Sequence, residues 1–556
     1  MTMGASSGFQ RIHTDLIWQR IIALLEDQAQ TLIRTAFSTT TREAGDLSAG
    51  FFDRRARMVA QAITGTPGHV NSMAQAVVHF LDLFPLDSLK PGDVLLSNDP
   101  WLCSGHLHDF TVVTPVFHRG RAVGAVANTI HVVDIGGLGF GPDGHDVFEE
   151  GLCIPPCKVV HAGKVDAFIV HLIRINVREP DQVIGDLYAS MAGNDVAVRQ
   201  LISLLDEFAL DDFEGIADSI IGRTRAVVEE RIGLLRDGTC RRSLRMDGYE
   251  GEVDLRLALT VDGREIRLDF SGSSPESRRG INVVLNYTKA YATFGINCII
   301  NPDIPCNHGS LAPLIVTAPP GSILNAQRPA AVSARHMIGH MLPDLVLDAL
   351  YEFIPDRVPA EGAGLIWNPS IRGIATDGRP YATVTFNAGG GGAHRDRDGW
   401  STTAFPSGVR TMPVEAVEAT VPLLFVRKEL RPDSGGPGKF RGGLGQTIEF
   451  KAAHDHPFLI NAMFDRTRFA AKGRVGGLSG AAGEVRLRSG KPAAAKGLQQ
   501  VDAGDSVILQ LPGGGGFGHP RERDRHRVHA DLRGGYVSAE AAEQVYGFTG
   551  GSDGQD

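Results

Sequence analysis

Residues 95–137 read LLSNDPWLCSGHLHDFTVVTPVFHRGRAVGAVANTIHVVDIGG, and both the fold and the chemistry turn on this stretch. Asp109–Phe117 and Ala122–Ala127 are β-branched and apolar, with His118-Arg119-Gly120-Arg121 between them, which is the pattern of a hairpin. In a hairpin the start of the first strand lies beside the end of the second, so Asp109 and His131 arrive at one sheet edge. His106, three residues before Asp109 in a Gly-containing loop, reaches the same point. Imidazole and carboxylate donors suit Zn, Mn or Fe(II). Taken singly, turn histidines and aspartates ordinarily meet backbone or water. Together, His106, Asp109 and His131 supply three convergent ligands and leave open positions, as a catalytic metal requires. Asp99 and Asp134 stand nearby in sequence, and Gly136-Gly137 after Asp134 allow a sharp turn at positive φ.

Upstream, Asp15 is a fitting N-cap for a helix that runs to Phe37. Ser38–Ser48 leaves it, carrying Arg42, Glu43 and Asp46. Short strands are expected at Ala49–Phe52 and Arg57–Ala62, a helix from His69 to about Phe84, and a strand at Asp93–Ser97. Downstream, Asp181–Phe208 and Asp211–Leu235 have helical apolar periodicity, and Arg245–Phe270 shifts to period two around Asp262-Gly263. Helices are expected at Val283–Ile300, Ala334–Phe353 and Ser538–Tyr546. From about Gly362 the chain is β-rich, and its glycine segments, such as AGGGGAHRDRDGW and GGPGKFRGGLGQ, read as tight turns between strands. The fold class is therefore α+β and multidomain: a helical and mixed N-terminal half, then a β-rich C-terminal half. Three segments are expected, 1–245 with the metal site, 246–361, and 362–556.

Several function classes fall away. A net charge of −9 with no basic patch speaks against nucleic acid. The polar N-terminus lacks a signal core, and no 18-residue apolar run exists, so a cytoplasmic chain without membrane spans is expected. Six cysteines in 556 residues do not make a disulfide framework; Cys153 and Cys157 read as reduced. Lys439 lacks the Ser/Thr that follows in a P-loop, Gly513–Gly518 lacks a βαβ context, and no G-x-S-x-G elbow occurs. Cys103, three residues before His106, is a conceivable nucleophile, although a buried apolar cysteine is the commoner state.

The segments LIRTAFSTTTREAGDLSAGFFD (32–53), RMVAQAITGTPGHVNSM (57–73), GDVLLSNDPWLCSGHLHDFTVVTPVF (92–117), ANTIHVVDIGG (127–137), EEGLCIPPCKV (149–159), NPDIPCNHGSLAPLIV (301–316) and KFRGGLGQ (439–446) occur in an order that resembles the hydantoinase B/oxoprolinase family over nearly the whole chain. The resemblance implies a B-type subunit of an ATP-dependent enzyme, with a hydantoinase A-type partner carrying ATP-Mg. Its known reactions are hydrolysis of hydantoins, 5-oxoproline and larger lactams, and ATP-driven ketone carboxylation. It also implies a divalent metal (Zn, Mn or Fe) on Asp46, His106, Asp109 and His131. Asp134 would orient His131 or a water, and His69 matches a family histidine. The chain departs from the family in GHLHD, where His108 replaces a proline, in H-V-V after His131, and in NHG at Asn307–Gly309.

The resulting expectation is a hetero-oligomeric cyclic amidase. A metal-activated water attacks an amide phosphorylated at the partner, and His69 and His108 are candidates for proton transfer. The ordinary reading of His108 is a solvent-facing loop residue. Arg42 and Arg335 either bind an anionic substrate group or pair structurally. The alternatives are a component of a bicarbonate-using ketone carboxylase and a non-catalytic scaffold for the A-type partner.

Overall fold

In the computed structural model of the chain, residues 3–548 are described. Two compact units emerge. The first comprises the chain up to Arg241, Leu257–Gly339 and Gly408–Arg410. The second comprises Arg242–Arg256, His340–Ser407 and the chain from Thr411 onward. The segment 246–361 thus contributes to both.

The first unit is organised on a seven-stranded sheet of order β2-β1-β5-β4-β3-β6-β7. Its strands are β1 Leu47–Phe52, β2 Met58–Gln61, β3 Val94–Ser97, β4 Asp109–His118, β5 Arg121–His131, β6 Cys157–His161 and β7 Lys164–Val165. The expected hairpin is its centre, and His118 pairs with Arg121 at the turn. Side chains alternate across a strand, so successive residues of β4 feed different cores. Val112 and Val116 pack with Ile21, Leu25, Leu187 and Leu201 of the long helices Met3–Thr35 and Pro180–Glu207. Val113 and Ala127 pack with Met73, Val77 and Phe80 of helix Pro67–Leu83. Because both faces are covered, β4 and β5 are buried almost throughout.

The hairpin runs four residues past the expected end of β5, through Asn128-Thr129-Ile130-His131. Asn128 Nδ2 and the Thr129 hydroxyl are tolerated there because buried partners meet them. Asn194 Oδ1 accepts from Asn128 Nδ2 at 2.7 Å and from Gln28 Nε2 at 2.6 Å, and Thr129 Oγ1 meets Thr111 Oγ1 at 3.1 Å. In the same unit, strand Glu265–Asp269 pairs antiparallel with residues 258–262 around Gly263, and parallel with strand Leu314–Thr317. The single helix expected over Ala334–Phe353 is two, His336–Gly339 and Leu342–Leu350. Pro343 lies in the first turn of the second, where its missing N–H costs nothing.

In the second unit, strands Ser370–Ile374, Pro380–Val384, Phe458–Met463 and Lys496–Val501 form one antiparallel sheet. Strands Leu423–Leu430, Gln446–Ala452, Glu484–Leu487 and Ser506–Gln510 form another. The glycine segments are not the expected tight turns: none of Gly389–Gly392 or Gly513–Gly516 has positive φ. They are backbones laid against backbones. Gly443 N donates to Gly391 O at 2.8 Å, Gly514 N to Gly443 O at 3.0 Å, and Gly436 N to Gly514 O at 2.7 Å. A Cβ at Gly390 would fall on the carbonyl of Gly443, and one at Gly514 on that of Gly391. Glycine is needed here for close approach, not for turn geometry.

Candidate metal centre

The site lies in the first unit, at the edge of the hairpin. Asp109 opens β4, His131 closes β5, and the two are a register pair. His106 comes from the turn before β4, which is held by Asn98: its Nδ2 donates to Leu107 O at 2.7 Å and to Leu152 O at 2.9 Å. Gly105, at φ +101°, takes the chain past the Arg335 side chain, where a Cβ would collide. The result is a buried group of His106, Asp109 and His131 whose donor atoms lie within 4.8 Å of one another.

The two oxygens of Asp109 have different company. Oδ1 lies 2.7 Å from His106 Nε2 and accepts from His131 Nδ1 at 3.0 Å. Oδ2 is saturated by protein donors: Ser104 Oγ at 2.5 Å, Arg335 Nη2 at 2.6 Å and His69 Nε2 at 2.9 Å. Arg335 also donates from Nε to Ser104 O at 2.6 Å and stacks on Tyr287, 4.0 Å from the ring centre. One oxygen is thus anchored while the other faces the histidines.

His106 decides what the group can hold. Its Nδ1 lies 2.9 Å from the carbonyl of Ser333, which only accepts, so Nδ1 carries the proton. Nε2 is then a lone pair, and it faces Asp109 Oδ1 without hydrogen-bond alignment; it has no hydrogen-bond partner among the described residues. Two lone pairs 2.7 Å apart repel unless a cation lies between them. The residues present can hold a metal ion.

The electrostatics agree. Burial, then the Arg335 cation, push His106 down to about 3, with Asp109 opposing, so its ring is neutral and available as a ligand. Burial works against the Asp109 charge, but His106, His69 and Arg335 outweigh it and hold the carboxyl well below its ordinary value. For His69, burial opposes the charge, yet Asp109 and Asp46 raise the imidazole above its ordinary value.

The other residues singled out from sequence fall as follows. Asp46 lies beside the group: its Oδ1 is 3.4 Å from His69 Nδ1, and its carbonyl accepts from His131 N at 3.2 Å. His69, in the first turn of helix Pro67–Leu83, bridges the Asp46 and Asp109 carboxylates. His108 does not face solvent as its loop position suggests. It is fully buried, its carbonyl is held by Val132 N at 2.8 Å, and its ring lies 14° from parallel with His131. Neither of its ring nitrogens has a hydrogen-bond partner among the described residues. Asp134 Oδ1 accepts from Arg178 Nη1 at 2.6 Å and Oδ2 from Arg178 N, while the same guanidinium reaches the Gly136 and Gly137 carbonyls. Asp99 meets Arg328 Nη2 at 2.6 Å, and Arg42 pairs with Glu43 at 2.9 Å. Burial pushes the Cys103 thiol up to about 12, which removes it as a nucleophile at neutral pH. All six cysteines are free.

Sequence reasoning misses Ser104, Ser333, Phe140 and Glu150. Phe140 is buried with its ring 5.0–5.8 Å from those of His106, His108, His131 and His336. It closes the histidine cluster on its apolar side. Ser333 and Glu150 carry no local signal because their partners are distant in sequence, 227 and 182–183 residues away.

Comparison with known proteins gives a consistent picture. The family model described as Hydantoinase B/oxoprolinase matches residues 10–520. A protein of Methanocaldococcus jannaschii is 30% identical over 96% of this chain and 95% of its own length. The B component of a putative D-/L-hydantoinase from a Pseudomonas species is 26% identical over 97% of both chains. The crystal structure of the ATP-dependent caprolactamase from Pseudomonas jessenii superposes with a TM-score of 0.90 at 26% identity, covering 98% of this chain and 97% of that one. A nucleotide-free acetone carboxylase structure shares the fold, with a TM-score of 0.86 at 21% identity over 98% of this chain and 81% of that one. Among the described residues, no helix is long and apolar enough to cross a membrane.

Proposed function

The chain belongs to the hydantoinase B/oxoprolinase family, and from that premise we propose that it is the catalytic B-type subunit of an ATP-dependent cyclic amidase. Its substrate is a hydantoin, 5-oxoproline or a related lactam, and its partner is an A-type subunit that binds ATP-Mg. The observation that carries this reading is the buried His106/Asp109/His131 group, in which the Nε2 atoms of both histidines lack a hydrogen-bond partner among the described residues. Asp46 enters the proposed ligand set from the family resemblance alone, since the His69 ring lies between its carboxylate and that of Asp109. One relative is named as a single component of a hydantoinase and another as an ATP-dependent caprolactamase, which supports the multi-subunit and amidase parts of the reading.

Phosphorylation of the amide oxygen at the partner turns a poor electrophile into an imidate-like ester. Water adds to that carbon, the ring nitrogen takes a proton and leaves as the amine as the C–N bond breaks, and a second water hydrolyses the remaining acyl phosphate to carboxylate and inorganic phosphate. A metal held by this donor set supplies Lewis acidity and brings the pKa of water to about 7. The chain's own groups do the rest. The Asp109 carboxylate stays ionised because its Oδ2 is saturated by three donors. His69, between two carboxylates, takes or gives a proton at Nδ1 or Nε2. His108 presents two unsatisfied ring nitrogens, one a donor and one an acceptor, for the polar edge of a ring amide. Asp134 and Arg178 fix the turn that follows His131.

The deciding assay is ADP release by this chain together with its A-type partner, on hydantoin, 5-oxoproline, caprolactam and acetone, each with and without bicarbonate. Release with a cyclic amide, independent of bicarbonate, is expected. Release only with a ketone and bicarbonate overturns the amidase reading in favour of a carboxylase. Amide turnover that persists after the metal is removed assigns the chain a scaffold role.

A further inference from the structure

Glu150 lies in the segment EEGLCIPPCKV, and nothing in the chemistry above uses it. It is buried, and its Oε1 accepts two backbone N–H groups, those of Val332 and Ser333, each at 2.7 Å. Two glycines make room for it: a Cβ at Gly144 would stand 3.1 Å from its Cγ, and one at Gly280 would stand 2.9 Å from its Oε1. The Ser333 peptide so held turns its carbonyl to His106 Nδ1, and Ser333 Oγ accepts from Gly141 N at 3.4 Å. Two residues on, Arg335 reaches Asp109 and Ser104. At its other end Glu150 is fixed to the chain after His131, because Gly151 packs on the Ile135 carbonyl so closely that no Cβ fits. One side chain therefore ties the 332–335 bracket to the turn that follows His131.

We propose that Glu150 is a positioning residue: by bracing the Val332–Ser333 backbone it holds His106 in the Nδ1–H tautomer, with the Nε2 lone pair aimed at Asp109 Oδ1. Carbonyl partners of this kind fix ligand tautomers and raise ligand basicity in metal sites. Burial pushes the Glu150 carboxyl up to about 8 against the two amides, so it is neutral at pH 7. A neutral carboxyl has the shape and the acceptor of a glutamine, which makes Glu150→Gln the conservative variant. The consequence for metal binding rests on the ligand reading above; the tautomer does not.

The test uses the full chain carrying Glu150→Gln, Glu150→Leu or Glu150→Asp. Two quantities are read: Co2+ affinity with its visible spectrum, and the ring 15N signals of His106 in the metal-free chain. Glu150→Leu leaves two buried N–H groups unpaired; the expected result is 10- to 100-fold weaker Co2+ binding, an altered Co2+ spectrum and a mixture of His106 tautomers. Glu150→Asp is too short to reach both amides and is expected to shift the same signals while keeping the charge chemistry. It serves as the test if Glu150→Leu does not fold. Glu150→Gln is expected within about threefold of the parent, with the parental tautomer. His106 signals unchanged in the leucine and aspartate variants overturn the proposal, as does a glutamine variant as impaired as the leucine one. A parent that binds no Co2+ defeats the ligand reading alone, since the ring nitrogens still decide the role of Glu150.

Discussion

Asp109 and His131 face each other across the two central strands, and the Asp109 Oδ1 lies 3.0 Å from the His131 Nδ1. Backbone pairing fixes that relationship, so side-chain substitution leaves it in place and isolates the chemistry. Asp109→Asn puts an amide where Oδ1 or Oδ2 now serves. One orientation sets an NH2 against the donors Ser104, Arg335 and His69, and the other sets it against the histidines. Bound metal is expected to drop below about a tenth of an equivalent, and turnover by at least about 100-fold. Elemental analysis beside ADP release checks both. Metal at parental stoichiometry would remove Asp109 from the ligand set.

Arg335 and Asp109 are both almost completely enclosed, at 3% and 0% side-chain exposure. Removing one member of a buried pair strands the other charge, at about 3–5 kcal/mol. Arg335→Met is expected to lower the stability of the first unit by that amount in urea unfolding. Arg335→Lys recovers only part of it, because an ammonium cannot hold Asp109, the Ser104 carbonyl and the Tyr287 face together.

His108 separates stability from function. Its imidazole is enclosed with both nitrogens unsatisfied, an arrangement that costs about 1–3 kcal/mol. His108→Leu is expected to be at least as stable as the parent in urea and to turn over the amide substrate about 10-fold or more slowly. Unaltered turnover would leave the histidine without a role toward substrate.

Glu150 predicts a pH dependence with a definite sign. Its folded-state pKa, about 8, lies above the unfolded value of 4.5. The folded chain therefore binds the proton more tightly. The associated stability is complete below pH 4.5 and declines as pH rises toward 8, by up to about 1.4 kcal/mol per pH unit. Glu150→Gln cannot ionise, so its urea midpoint should change less than the parent's between pH 5 and pH 8. Parallel curves for the two proteins would show that Glu150 does not titrate in this window.

Glycine substitutions are expected to divide sharply by place. At Gly390 a Cβ would land on the Gly443 carbonyl, so Gly390→Ala is expected to abolish soluble folded protein. Gly222, inside helix Glu214–Ile232, has nothing within 4 Å of such an atom. Gly222→Ala is expected to stabilise by about 0.5–1 kcal/mol. Soluble yield and thermal melts compare the two.

What is legible in the sequence is what is local. The hairpin announces itself by two β-branched, apolar runs around a polar turn, and its geometry alone puts Asp109 beside His131. His106 follows because it is three residues away. The braces cannot be read. Ser333 and Arg335 meet the site from 226 to 231 residues away, Glu150 meets Ser333 across 183, and three of these four bonds use backbone atoms, which carry no residue-specific signal. His108 reads as solvent-facing because loops usually are, whereas the flanking loop is folded inward under Phe140. In the second unit, the glycine segments have no side chains and hence no periodicity, so close backbone packing looks like turns. Helix Arg525–Arg533 escapes sequence reading because RHRVHADLR has no apolar stripe to detect.

The separation between ligands and braces also sets an order of events. During synthesis, His106, Asp109 and His131 leave the ribosome together, about 200 residues ahead of Ser333 and Arg335. At 5–20 residues per second, the interval is of order 10–40 seconds. Throughout it, the nascent hairpin presents its donors while Asp109 Oδ2 still lacks Arg335. For that time the choice among ions this donor set could take would be open to competition in the cell, and the late-arriving bracket would close on the one then in place.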